Sequence, residues 1–146
     1  AVPPGEHEAS HFFHLNLAPN PYIPGMQAVI DTYVATAQRI RFYGPTNFAP
    51  TIRSVTTGAR QAPSVYTILL ILTDGEISDM DDTIAAMVEA DDAPLSILIV
   101  GVGQADFSSM ERLDGDGQLL RSAGRVSRRD IVQFVPMRDF VNRNGS

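Results

Sequence analysis

The sequence predicts an α/β fold built on a parallel, open sheet. Residues 66–76 read Y-T-I-L-L-I-L-T-D-G-E, an apolar run that breaks off in an acidic, glycine-containing turn. Residues 95–103, L-S-I-L-I-V-G-V-G, repeat the design. Such runs bounded by turn signals read as strands buried on both faces. Between them Met80, Ile84, Met87 and Val88 recur at helical spacing, so the middle of the chain is a β-α-β unit. Ligands of open α/β sheets sit beyond the carboxyl ends of the strands, which makes Asp74 the first residue of the expected functional face.

The flanking elements follow from local pattern. Residues 12–17, F-F-H-L-N-L, alternate from Phe13 and stop at Ala18-Pro-Asn-Pro21, which predicts a short edge strand. Met26, Val29, Ile30, Tyr33, Ala37 and Ile40 form an amphipathic helix that ends near Tyr43-Gly44-Pro45, its apolar stripe expected to cover one face of the sheet. Phe48, Ile52, Val55 and Ala59 mark a second helix, with Pro50 tolerated in its first turn. Ser78-Asp-Met-Asp81 has the form of a capping box for the next helix, and Asp79, Asp81 and Asp82 lie near the positive end of its dipole. A short helix over 106–113, a long loop over 113–129 and a last strand over 131–135 complete the reading.

Composition bounds the function. With 146 residues and 44% hydrophobic side chains the chain suits one ordinary α/β domain. It has no cysteine, so disulfides, thiolate metal sites and cysteine nucleophiles are excluded. A net charge of -6 argues against a nucleic-acid partner. Eight carboxylates and no basic residue lie between Asp74 and Asp92, whereas six arginines follow from Arg121 onward; a solvated face is the simplest reading of both. All eleven basic residues are arginine, for which the sequence offers no functional reason. No apolar run approaches the ~20 residues of a membrane span.

Several motifs invite a chemical reading. His7-Glu-Ala-Ser-His11 matches the H-E-x-x-H pattern of zinc peptidases, with Glu8 as general base. That chemistry needs a packed helix and a third ligand, but Pro3, Pro4 and Gly5 precede the motif and a strand-like run follows it. A zinc metallopeptidase is therefore a minor alternative. Gly101-Val-Gly103-Gln-Ala-Asp106 has Asp where a dinucleotide turn needs its third glycine. Asp114-Gly-Asp116-Gly117 hints at a calcium loop, yet Arg125 stands where a bidentate Glu is required. Asn144-Gly-Ser146 matches a glycosylation acceptor but is too short a pattern to assign. Thr46 and Asp74 remain. A hydroxyl and a carboxylate at element ends are hard-oxygen donors suited to Mg²⁺ or Mn²⁺; the simpler reading is a helix cap and a turn. No arrangement of nucleophile, base and oxyanion donors presents itself, so a non-enzymatic role is expected.

Tyr43-Gly-Pro-Thr-Asn-Phe-Ala-Pro50, Leu72-Thr-Asp-Gly75 with Ile77-Ser-Asp79, Pro94-Leu-Ser-Ile-Leu-Ile-Val-Gly-Val-Gly103, Ala105-Asp-Phe107, Met110-Glu-Arg-Leu-Asp-Gly-Asp116 and Arg129-Asp-Ile-Val-Gln-Phe-Val-Pro136 together resemble the carboxyl-terminal von Willebrand factor A-like domain of copines. Plant-type RING ubiquitin ligases carry a similar domain and supply the alternative reading. The resemblance implies a Rossmann-like sheet with flanking helices over residues 11–142, with 1–10 a flexible segment. It also implies a metal-ion-dependent adhesion site in which Thr46 and Asp74 match the threonine-loop and aspartate ligands. Asn47, Glu76, Ser78 and Asp79 would form the surrounding partner surface.

The sequence departs from that family pattern upstream of Thr46, where no D-x-S-x-S motif is found. The expectation is an incomplete domain that lacks its first strands, exposes an apolar edge along residues 66–73 and keeps a weak or vestigial Mg²⁺ or Mn²⁺ site. Other proteins are the expected partners. Calcium-dependent phospholipid binding would belong to separate modules of a longer, cytoplasmic parent protein.

Overall fold

Thr67–Thr73 contains only threonine, isoleucine and leucine, and forms strand β1. The second apolar run forms β2, Leu95–Gly101. They pair in parallel, Thr67 opposite Leu95 and Thr73 opposite Gly101. In the computed structural model, which describes residues 1–115 and 118–141, the chain comprises two compact units, Ala1–Pro45 and Thr46–Ser146.

In the larger unit, helix α2 (Ala49–Gln61) precedes β1, and α3 (Met80–Glu89) with a 3₁₀ turn (Ala90–Asp92) joins β1 to β2. Helix α4 (Ser108–Asp114), the two-residue strands β3 (Arg121–Ser122) and β4 (Arg125–Val126), strand β5 (Val132–Pro136) and a helical turn α5 (Arg138–Val141) follow. The main sheet is three-stranded, in the order β1-β2-β5, and both pairings are parallel. This is the open α/β sheet with flanking helices that the sequence predicts.

One face of that sheet holds the core. Ile52 from α2, Met87 from α3, Leu95, Ile97 and Ile99 from β2, Met110 and Leu113 from α4 and Phe134 from β5 are buried together, with Leu69 and Ile71 of β1 packed against them. The opposite face departs from the expectation of strands buried on both sides. Ile68, Leu70 and Leu72 are 69%, 51% and 67% exposed. β1 alternates because α2, α3 and α4 supply core residues to one side only, and its continuous apolar composition hid that alternation. β1 also stands at the edge of the sheet.

The segment expected as a loop over 113–129 contains an antiparallel hairpin, β3 with β4. Ala123 and Gly124, at φ 49 and 79, make its two-residue turn, the positive-φ pair that suits a tight hairpin. The last three carboxylates of the acidic run, Glu89, Asp91 and Asp92, are held by arginines. Arg60 pairs with Asp92 at 2.6 Å and Arg53 with Glu89 at 3.4 Å. Asp91 is 2% exposed; its carboxylate accepts bonds from Arg125 at 2.6 Å and the Arg128 amide at 2.7 Å. Arg129 donates to the carbonyls of Asp91, Ala93 and Leu95, which fastens the approach to β5 onto the start of β2.

In the smaller unit, helix α1 covers Met26–Ala37 and stops short of the predicted end. Of the stripe expected to be buried, Met26, Ile30 and Tyr33 are exposed and Val29, Ala37 and Ile40 half-buried. The strand expected over 12–17 does not form. His14 Nδ1 donates to the Ala18 carbonyl at 2.7 Å, the Leu17 amide to the His14 carbonyl at 2.9 Å and the Ala18 amide to Asn16 Oδ1 at 3.1 Å. These local bonds turn the backbone where a ladder would need it extended, and Leu17 adopts φ 54. Within residues 1–10, Val2 bridges Arg41 through backbone bonds of 2.8 and 3.0 Å. No helix forms over residues 1–25, so the one-turn spacing of His7 and His11 that a zinc peptidase requires is absent.

Candidate functional site

The carboxyl end of β1 sets the geometry. After Thr73 the chain turns through exposed Asp74 and through Gly75, whose φ of 103 favours glycine. The Gly75 amide donates to Thr73 Oγ1 at 3.1 Å. The Glu76 amide lies 3.4 Å from Asp74 Oδ1, which keeps one oxygen of that carboxylate over its own turn. A side chain at Gly75 has no room: a Cβ there would lie 2.9 Å from Phe107 Cδ1 and 3.0 Å from the Asp106 carbonyl.

Two further bonds join this turn to the Thr46 loop. The Thr46 amide donates to Ser78 Oγ at 3.1 Å, and the Ser78 amide donates to the Thr46 carbonyl at 2.8 Å. Asp79 then reaches past its own helix. Its Oδ1 accepts from the Phe48 amide at 2.9 Å and its Oδ2 from the Ala49 amide at 3.0 Å. Thr83 donates its hydroxyl to the same Oδ1 at 3.0 Å. Asp79 thus closes the amino end of α2, and α3 itself has no side-chain cap. The expected capping box gives way to this cross-link, because two neighbouring amides of another helix outcompete a single local one.

Of the residues singled out by sequence, Thr46, Ser78 and Asp79 are hydrogen-bonded into one loop pair, with Asp74 four residues before Ser78. Glu76 and Ser78 are exposed, whereas Thr46, Asn47 and Asp79 are half-buried. Asp79's carboxylate is committed to three donors. Among the described residues no group of three or more His, Asp or Glu side chains is placed to hold a metal ion. Thr46 and Asp74 carry hard-oxygen donors of the kind Mg²⁺ or Mn²⁺ takes, and two donors are few for either ion.

Sequence reasoning missed the loop before α4 as part of this site. Asp106 accepts the Ser108 amide and hydroxyl, both at 3.0 Å; those bonds, the amide foremost, hold its carboxyl below the usual range. The readable signal was the pair Gly75 and Gly101 at successive strand ends. Gly101, considered above as part of a dinucleotide turn, instead makes room for the Phe107 ring, 2.8 Å from where its Cβ would stand. Asp114 of the calcium-loop candidate lies in α4 and accepts from Gln133 Nε2 at 3.1 Å. Asp116, Gly117 and residues 142–146, with the glycosylation motif, lie outside the described residues.

An open, parallel sheet flanked by helices is consistent with a domain of the von Willebrand factor A-like class. The copine family profile matches residues 1–146. Copine-A of Dictyostelium discoideum is 48% identical over 147 residues, a match that covers 97% of this chain and 24% of that protein. The chain therefore belongs to the copine family, and it spans 24% of the length of this curated relative. No helix of the described residues is long and apolar enough to cross a membrane.

Proposed function

We propose that this chain is the protein-interaction module of a calcium-dependent phospholipid-binding protein of the copine type, with no catalytic role of its own. Partners dock on the loop face that carries Thr46, Asn47, Asp74, Glu76, Ser78 and Asp79. The observation that supports this reading most is the reciprocal Thr46–Ser78 bonding, which organises two loops into one surface beyond the strand ends. A weakly held Mg²⁺ or Mn²⁺ at Thr46 and Asp74 would present a hydrated cation to an acidic group of the partner. Lipid binding and calcium-dependent movement from cytoplasm to membrane belong, in this reading, to other modules of the whole protein.

Proximity cross-linking in cell extract, with a photoreactive group placed beside Glu76, tests the reading. Proteins captured by the unaltered surface should be lost on Asp74→Ala and kept on Arg112→Ala, a change on the exposed surface of α4. Equal capture by all three chains would refute it.

A further inference from the structure

We propose that Phe107 is a positioning residue for Asp74, and that Arg138 links the helical turn after β5 to that position. The inference rests on the reading of the Asp74 turn as the binding face. Three strand ends lie in one row, Thr73 opposite Gly101 and Gly101 opposite Pro136. Backbone bonds tie the row together. The Val102 amide donates to the Thr73 carbonyl at 2.7 Å, and the Met137 amide to the Gly101 carbonyl at 2.9 Å. The Phe107 ring, 1% exposed, fills the space that two missing side chains leave in this row.

The fit at the glycines is close. Phe107 Cδ1 and Cε1 would stand 2.9 and 3.1 Å from a Gly75 Cβ, and Cε1 and Cζ each 2.8 Å from a Gly101 Cβ. The ring edge therefore abuts the residue that follows Asp74, on a backbone already committed to φ 103. A ring displaced toward Gly75 must move that peptide, and the Asp74 carboxylate with it. Phe134 closes another side at a centroid distance of 5.5 Å.

Arg138 lies over the ring. Its guanidinium carbon is 5.1 Å from the ring centroid, a cation–π distance, and Nη1 donates to the Ala105 carbonyl at 3.1 Å. One side chain thus bridges the start of α5, the loop before α4 and the ring. Arg138 acts on the turn through the Phe107 ring and the 105–107 backbone that carries it, since the ring and the Asp106 carbonyl both abut Gly75. A ring that served only as core filling would leave the Asp74 turn indifferent to Arg138.

Amide and α-proton NMR spectra of the metal-free chain test this. Arg138→Ala should shift the Gly75 and Glu76 amides and the Gly75 α-protons, which feel the ring current of Phe107. Leu95, Ile97 and Ile99 in the core strand should keep their shifts. Arg138→Lys, which retains a cation over the ring, should recover part of the change. Gly101→Ala, whose Cβ would crowd the ring, should disturb the same turn. Unchanged Gly75 and Glu76 signals in Arg138→Ala would overturn the proposal, as would shifts spread evenly over the core. Mg²⁺ added to the unaltered chain tests the site reading separately. If Asp74 ignores the ion, the metal reading fails, while the metal-free spectra still decide the role of Phe107.

Discussion

Replacing Asp79 with alanine should unfasten α2 from the turn that follows β1. The carboxylate accepts the Phe48 and Ala49 amides at 2.9 and 3.0 Å, and both residues are buried, at 7% and 1% exposure. Loss of a side-chain cap costs about 1 kcal/mol. Each buried amide left without a partner costs about 1–3 kcal/mol. Some water will reach the opened site, so the sum falls near 3 kcal/mol. With a urea dependence of about 1.5 kcal/mol per molar, the unfolding midpoint should drop by about 2 M. Asp79→Asn keeps one acceptor oxygen and should lose about 1 kcal/mol. Thr83→Val removes only the hydroxyl bond to Oδ1 and should be non-additive with Asp79→Ala, since the two share a partner. Urea titration followed by circular dichroism measures all three. A loss below about 0.5 kcal/mol for Asp79→Ala, the range of an ordinary surface change, would refute the cross-link as a source of stability.

Other consequences are as direct. Asp91→Ala should cost about 3 kcal/mol, because it leaves the Arg125 guanidinium and the Arg128 amide without their buried acceptor, and thermal unfolding would show it. The hydrogen bond from Arg60, foremost, lowers the pKa of Asp92. A lowered folded pKa gives stability that is present above the unfolded carboxylate value and lost as pH falls through the folded one. Arg60→Gln should therefore lessen the fall in stability below about pH 4, and an unaltered acid profile would contradict that. Leu70→Lys places a charge on the open face of an edge strand, which should reduce concentration-dependent association seen by light scattering with little loss of stability; equal association of both chains would contradict it.

What the sequence revealed, and what it hid, divides by the range of the interactions. Strands β1, β2 and β5, α2 with Pro50 in its first turn, and α3 were legible because their patterns are local. The strand over 12–17 was misread because His14 and Asn16 bond to the backbone of their own turn, an outcome that alternation alone does not reveal. Burial of β1 was overestimated because a run of leucine and isoleucine looks the same whether one face is covered or two. At the site, the places of Thr46 and Asp74 beside the ends of α2 and β1 could be read from pattern. The commitment of Asp79 to α2 could not, since its partners lie 30 and 31 residues away. Phe107 was passed over for a similar reason. Its importance lies in the absence of side chains at Gly75 and Gly101, which only the fold brings to one ring.

The central claim is that Thr46 and Asp74 present a weak cation site on a partner-binding face. A Mg²⁺ titration of the whole chain, followed residue by residue through its amide NMR signals, tests it most directly. Shifts confined to Thr46, Asn47 and the turn from Asp74 to Ser78, unsaturated below about 1 mM as expected of a site with so few protein ligands, are the predicted result. Absence of any shift at Asp74, or tight stoichiometric saturation that demands a fuller ligand set, would contradict it.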